Sequence, residues 1–284
     1  MSAITVERRQ LLTLAYRMTG SLADAEDVVQ ETYARWYALT HPQRDAIDNP
    51  AAWLTTVASR VCLDLLGSAR SRRERYVGAW IPEPLPAGYA DLSDRVTQDE
   101  SLTMAFLIVL DAMTPAERVA FLLHDVFGYP FAEIATVLGR TPVACRKLAS
   151  SARRRVGESR VPRTPPSGQA RVVRAFKQAW EAKDIGALIA LLDPDAVVTA
   201  DGGGQVSTVR HPLHGRDQIA RHAASLFRVM PGMDILERTV NGHPGLVVQL
   251  SGVTVTVLAF ELAPSGITRV WAIRNPAKLG AWTA

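Results

Sequence analysis

The chain has 284 residues, with 32 Lys and Arg against 28 Asp and Glu, 48% hydrophobic residues and 21% charged ones. That length allows two or three domains with cores of their own, and the composition excludes an intrinsically disordered chain. No apolar run approaches the roughly 18 residues of a membrane span, no secretory signal is read, and Cys62 and Cys145 make neither a disulfide framework nor a metal cluster, so a cytoplasmic location without membrane contact is expected.

Residues 1–76 read as helical, with 3.6-residue periodicity and interior prolines only at 42 and 50. In "SLADAEDVVQETYARWYAL" (21–39) Ser21 is a candidate N-cap and acids crowd the first turns. Val28, Val29, Thr32, Tyr33, Trp36 and Tyr37 form its apolar side, and Asp24, Asp27, Gln30 and Glu31 point outward. These acids either complement the helix dipole or meet a basic protein partner. "NPAAWLTTVASRVCLDLLGSARSRRERY" (49–76) is a longer helix with a stripe of Trp53, Leu54, Val57, Ala58, Val61, Leu65 and Leu66. Its outer side and tail carry Arg60, Arg70, Arg72, Arg73 and Arg75, with Asp64 and Glu74 against them, which suits phosphate contact or a solvated helix end.

Residues 77–98 are a linker containing "WIPEP", where the prolines forbid one continuous helix. Residues 99–157 are helical again and end in "FAEIATVLGRTPVACRKLASSARRRV" (131–156), two short helices around a turn. Gly139 closes the first helix; Thr141 caps the second and Pro142 occupies its first turn, where a missing N–H costs nothing. Cys145, Leu148, Ala149, Ala152 and Val156 share one stripe, while Arg146, Lys147, Ser150, Ser151, Arg153 and Arg154 lie mostly opposite. Such a helix-turn-helix fits the DNA major groove, where Arg and Lys bond guanine edges and other donors hold phosphate. A solvated basic helix face is the alternative. Residues 158–168 form a Pro- and Gly-containing linker, and residues 169–284 combine an amphipathic helix with strand-like runs such as "VTVTVLAFEL", an α+β pattern.

"DAEDVVQETY" followed by "NPAAWLTTVASRVCLDLL" resembles region 2 of bacterial extracytoplasmic-function (ECF) sigma factors. "LDAMTPAERVAFLLHDVFGYPFAEIATVLGRTPVACRKLASSARRRV" is similar to their region 4. The resemblance implies a multidomain protein with two all-α sigma domains, which binds core RNA polymerase at its clamp and flap and promoter DNA at the −10 and −35 elements. It implies polymerase contacts at Asp27, Gln30 and Glu31 and −10 contacts at Arg60, Asp64, Arg70, Arg72 and Arg73. Many family members have Asn where Arg60 stands. The −35 contacts would fall on Arg146, Lys147, Ser150 and Ser151, with Arg153 and Arg154 on phosphate.

The third block resembles the SnoaL-like branch of the NTF2 fold, a curved sheet and helices forming a cone. Sigma factors with this extra domain carry motifs close to WLPEP, DGGGK and NPDKL, and this chain has "WIPEP" (Trp80, Ile81, Pro82, Glu83, Pro84), "DGGGQ" (Asp201, Gly202, Gly203, Gly204, Gln205) and "NPAKL" (Asn275, Pro276, Ala277, Lys278, Leu279). Gln205 replaces a lysine of that pattern and Ala277 an acid. The glycines permit positive φ and close approach, so the three motifs are expected to dock the third domain on the linker and to modulate activity in cis. The alternative is a helix-turn-helix regulator whose C-terminal pocket binds a small-molecule ligand. A SnoaL-like enzyme would draw acid–base groups from Asp201, His211, His214 or His222, each expected on a loop or the surface; no catalytic residue, cofactor or metal site is assigned.

Overall fold

The computed structural model describes residues 3–73, 76–89, 103–158, 166–209 and 211–282. Of these, 3–73 and 106–158 form one compact unit, and 76–89, 103–105, 166–209 and 211–282 form another.

The first unit is helical. In α1 (Ala3–Thr19), α2 (Leu22–Ala38) and α4 (Pro50–Arg73), Leu14, Tyr16, Met18, Val28, Val29, Leu54, Ala58 and Cys62 are buried, as their spacing requires; a short α3 (His41–Asp45) joins α2 to α4. Ser21 caps α2 by accepting from the Asp24 N–H at 3.2 Å. Tyr37 departs from the expected apolar side. It is 61% exposed and stacks on Tyr33 at 6.2 Å, a position a phenol tolerates because its hydroxyl stays in water.

The same unit continues through α5 (Met104–Asp111), from Phe106 onward, then α6 (Pro115–Phe121), a π-helical turn (Leu122–Val126), α7 (Phe131–Leu138) and α8 (Pro142–Glu158). Thr114 and Glu117 form a reciprocal capping box at the start of α6. Burial pushes the Glu117 carboxyl up, but hydrogen bonds from the Thr114 backbone, the Ser151 hydroxyl and the Thr114 hydroxyl, with Arg155 nearby, outweigh it and hold the group below its ordinary value. A carboxyl depressed in the folded state adds stability above its unfolded pKa and loses that stability as pH falls through the folded one. Glu117→Ala is therefore expected to cost about 1–2 kcal/mol at pH 7 and to flatten the stability loss between neutrality and acid, both read from urea unfolding at stepped pH.

The second unit is α+β. Its sheet has the order β2-β1-β6-β5-β4-β3, with β1 (Leu192–Asp201) parallel to β6 (Gly266–Ile273) and all other pairs antiparallel. The other strands are β2 (Leu213–His214), β3 (Met233–Val240), β4 (His243–Leu250) and β5 (Val253–Ala263). Helices α9 (Pro166–Glu181), α10 (Ile185–Leu191) and α11 (Arg216–Val229) pack against it through Phe176, Trp180, Leu188, Ile219, Leu246 and Leu258. Each fully buried side chain of this kind contributes about 1.5–3 kcal/mol. Trp180 also satisfies its indole N–H on the Ala223 carbonyl at 2.7 Å.

Candidate functional site

In the first unit, α8 is built as the helix-turn-helix pattern requires. Gly139 ends α7 in the left-handed region at φ 61°, and the Thr141 hydroxyl accepts from the Ala144 N–H at 3.2 Å. Cys145, Ala149 and Ala152 are buried, while Arg146, Lys147, Ser150, Arg153 and Arg154 are exposed. The Arg146 guanidinium lies over the Phe131 ring at 5.3 Å. Two of the expected −35 residues have partners inside this unit. Ser151 is half-buried and donates to Glu117 Oε1 at 2.8 Å, which corrects the outward placement read from the helical wheel. Arg153 Nε donates to Asp125 Oδ1 at 2.5 Å.

The expected −10 residues are divided. Arg60 and Asp64 are exposed one turn apart on α4, and Arg60 Nη2 donates to the Thr136 carbonyl of α7 at 2.9 Å. The side chains of Arg70, Arg72 and Arg73 lie outside the described residues. Two further bonds tie the halves of this unit: the Tyr129 hydroxyl donates to Thr55 Oγ1 at 2.8 Å, and buried Arg118 donates to the Met18 carbonyl; within its own half Arg118 also pairs with Asp111 at 3.1 Å. Burial pulls the Arg118 guanidinium down to about 10. Asp27, Gln30 and Glu31 share the exposed face of α2, where Glu31 pairs with Arg35 at 2.8 Å.

In the second unit, residues 76–89 run along the α+β domain, and the three sequence motifs meet there around one carboxylate. Asp201 ends β1 fully buried, which corrects its expected place on a loop or the surface. Its Oδ1 accepts from the Tyr76 hydroxyl at 2.5 Å and the Gly203 N–H at 3.0 Å. Its Oδ2 accepts from the Ile81 N–H at 3.0 Å and from Lys278 Nζ at 2.7 Å. Lys278 also donates to the Ile81 carbonyl at 2.5 Å, and its ammonium sits over the Trp80 ring at 4.2 Å and the Tyr76 ring at 5.2 Å. Burial, and then the bond to Asp201, push the Tyr76 phenol well above its ordinary pKa.

Neighbouring contacts complete the attachment. Asn275 Nδ2 donates to the Tyr76 oxygen at 2.8 Å, and its backbone N–H, with that of Arg274, bonds the Asp201 carbonyl. Asn241 accepts from the Leu85 N–H at 3.1 Å and donates back to its carbonyl at 2.8 Å. The Trp282 indole donates to the Pro84 carbonyl at 2.8 Å. Ile81, Pro82, Glu83, Pro84 and Leu85 are all buried, as is Leu279.

The glycines are needed for space as much as for φ. A Cβ on Gly202 would lie 2.4 Å from the Val206 carbonyl, and one on Gly203 (φ 62°) 2.4 Å from the Asn275 amide. Gly202 itself does not adopt the positive φ expected of it, whereas Gly203 and Gly204 do. Gln205 and Pro276 are exposed at this site, so the backbone of Gln205 rather than its amide shapes the loop, through its bond to the Gly202 carbonyl at 3.0 Å. Tyr76, Asn241 and Trp282 were not singled out from the sequence. Tyr76 lies only four residues before Trp80, but nothing in the local pattern separates a docking aromatic from a helix end.

Of the acid–base candidates, His211 and His214 are exposed, and His222 is half-buried on α11, against its expected surface place. His222 lines a cavity of the α+β domain together with Arg274, and no described lining residue of that cavity is a carboxylate.

Residues 4–72 match the Sigma-70 region 2 family, residues 104–156 match Sigma-70, region 4, and residues 173–272 match the SnoaL-like domain family. The ECF RNA polymerase sigma factor SigJ of Mycobacterium tuberculosis is 38% identical over 286 residues, covering 95% of this chain and 90% of that protein. The probable ECF RNA polymerase sigma factor SigI of the same species is 36% identical over 281 residues, covering 98% and 94%. The crystal structure of M. tuberculosis SigJ superposes with a TM-score of 0.78 at 33% identity, over 98% of this chain and 97% of that one. With both sigma regions in order and relatives alike over nearly its whole length, the chain belongs to the ECF RNA polymerase sigma factors and carries a C-terminal SnoaL-like domain.

Proposed function

We propose that this sigma factor joins core RNA polymerase in the cytoplasm through the exposed acidic face of α2, with Asp27, Gln30 and Glu31 as contacts, and directs initiation without covalent chemistry of its own. The −10 element is met by Arg60 and Asp64 with the basic tail of Arg70, Arg72 and Arg73. The −35 element is met by Arg146, Lys147 and Ser150, with Arg154 on phosphate. The bond from Arg60 to the Thr136 carbonyl supports a closed arrangement of the helical unit, in which the −10 residue must leave α7 before it reaches DNA.

The SnoaL-like domain acts in cis by holding the chain between the two sigma regions. The observation that carries this is the buried Asp201 carboxylate, which accepts four donors, two of them, Tyr76 and Ile81, from the docked segment, while Lys278 bonds both the carboxylate and the Ile81 carbonyl. A docked tether has less free length than a flexible one, so it restricts the separations the two DNA-binding regions sample.

Transcription in vitro tests both parts. Core polymerase is supplied with the full chain, or with a chain ending near residue 168, on a template bearing the protein's own upstream region. Core-dependent, specific start sites are expected with the full chain, and a changed yield with the shortened one. Absence of binding to core polymerase sinks the initiation role; equal yields from both chains sink the action in cis.

A further inference from the structure

The sheet and helices of the α+β domain line a solvent-open cavity of about 500 Å³, within the usual range for small-molecule sites. Its wall is mostly apolar, with Phe176, Trp180, Ile219, Val248, Leu258 and Val270. Among the described residues one guanidinium enters this wall, that of Arg274, the residue after β6. Its Nη1 donates to the Ser207 carbonyl at 2.6 Å, its Nη2 meets only the weak acceptor Met230 Sδ at 3.8 Å, and its Nε is buried with no hydrogen-bond partner.

Among the described residues the cation also lacks a counter-charge. None of the described lining residues is a carboxylate, and Arg274 forms no salt bridge among the described residues. Burial pulls its pKa down, and burial followed by the Arg274 charge pulls down that of His222, the other titratable lining group. His222 is then neutral near pH 7 and adds no second cation. A half-buried guanidinium with its Nε unpartnered and donors to spare favours an anion as its partner. The single cation among the described lining residues matches one negative charge, whereas a phosphate would call for more donors. The apolar wall matches a hydrocarbon or aromatic body.

We propose that this cavity is a binding site for an apolar monocarboxylic acid, with its carboxylate on Arg274 and its body against Trp180, Phe176 and the sheet. The site goes beyond promoter recognition and adjoins the linker attachment: the Arg274 backbone N–H bonds the Asp201 carbonyl at 2.7 Å, and the next residue, Asn275, holds Tyr76.

Calorimetric titration of the full chain with n-decanoate, n-decanol and n-decylamine tests the site. Saturable decanoate binding is expected below about 1 mM, at least about tenfold tighter than the alcohol or the amine. Arg274→Met lowers decanoate affinity about tenfold and leaves decanol unchanged, while Arg274→Lys keeps the preference for the acid. Ala200→Phe, which puts an aromatic ring into the lining and leaves Arg274 itself unchanged, abolishes binding of both. No saturable decanoate binding, equal affinity for acid and alcohol, or decanoate affinity that survives either Arg274→Met or Ala200→Phe overturns the proposal.

Discussion

Asp201→Ala is expected to release residues 76–86 from the α+β domain and to destabilise that unit by about 3–5 kcal/mol, the usual cost of removing one partner from a buried ion pair. The carboxylate is fully buried and accepts four donors, and its loss strands each of them differently. Lys278, only 9% exposed, keeps its charge with two aromatic faces and one carbonyl in place of a carboxylate. The Ile81 N–H loses its acceptor in a buried setting. Asp201→Asn makes the sharper probe, because the amide keeps the shape but turns an NH2 toward one of the existing donors. Urea unfolding and limited proteolysis within 76–89 read the effect. A cycle with Lys278→Met isolates the pair, since two neutral partners leave neither charge stranded and the double variant should recover part of the loss. Midpoints and cleavage rates unchanged by Asp201→Ala would remove this carboxylate as the fastening of the linker, and with it the basis for control in cis.

The part of this attachment legible in the sequence is the part written in short motifs. Three glycines after a strand-ending Asp, two prolines flanking Glu83, and an Asn-Pro before Lys278 all carry backbone constraints that survive in one dimension. Their convergence on a single carboxylate does not, because it depends on β1 and β6 lying parallel and adjacent, which brings residues 201 and 273 level although they are far apart in the chain. Tyr76 and Trp282 were missed for that reason: each acts through a long-range partner, Asp201 for one and the Pro84 carbonyl for the other. In the helical unit, periodicity located the buried stripe of α8 correctly at Cys145, Ala149 and Ala152. It misplaced Ser151, which lies at the margin of that stripe, where a polar neighbour decides the direction a hydroxyl takes; here the neighbour is Glu117 of α6. Order and spacing of the two sigma regions distinguished an initiation factor from a free-standing helix-turn-helix regulator. The composition of the cone's interior left no comparable trace, since its lining is drawn from most strands and helices of the domain.

The division within α8 leads to the largest expected effect on DNA. Arg146→Ala and Lys147→Ala should each weaken binding of the −35 element by roughly 10- to 100-fold, the range for a side chain that reads a base edge, and should relax preference at one base position each. Arg154→Ala should weaken all sequences alike and reduce the salt slope by about one ion, as a phosphate contact does. Arg153→Ala should do less, because that guanidinium already spends its Nε on Asp125. Ser151→Ala should lower the stability of the helical unit by about 1 kcal/mol through the loss of the Glu117 bond while leaving base preference intact. Fluorescence anisotropy of the polymerase-bound protein on labelled −35 DNA, at several salt concentrations and with base-substituted competitors, separates these outcomes. The comparison is informative because Ser151 and Arg153 already have partners within the helical unit, whereas Arg146 and Lys147 face solvent. If Ser151 and Arg153, rather than Arg146 and Lys147, control base preference, region 4 must shed its contacts to Glu117 of α6 and to Asp125 before it binds.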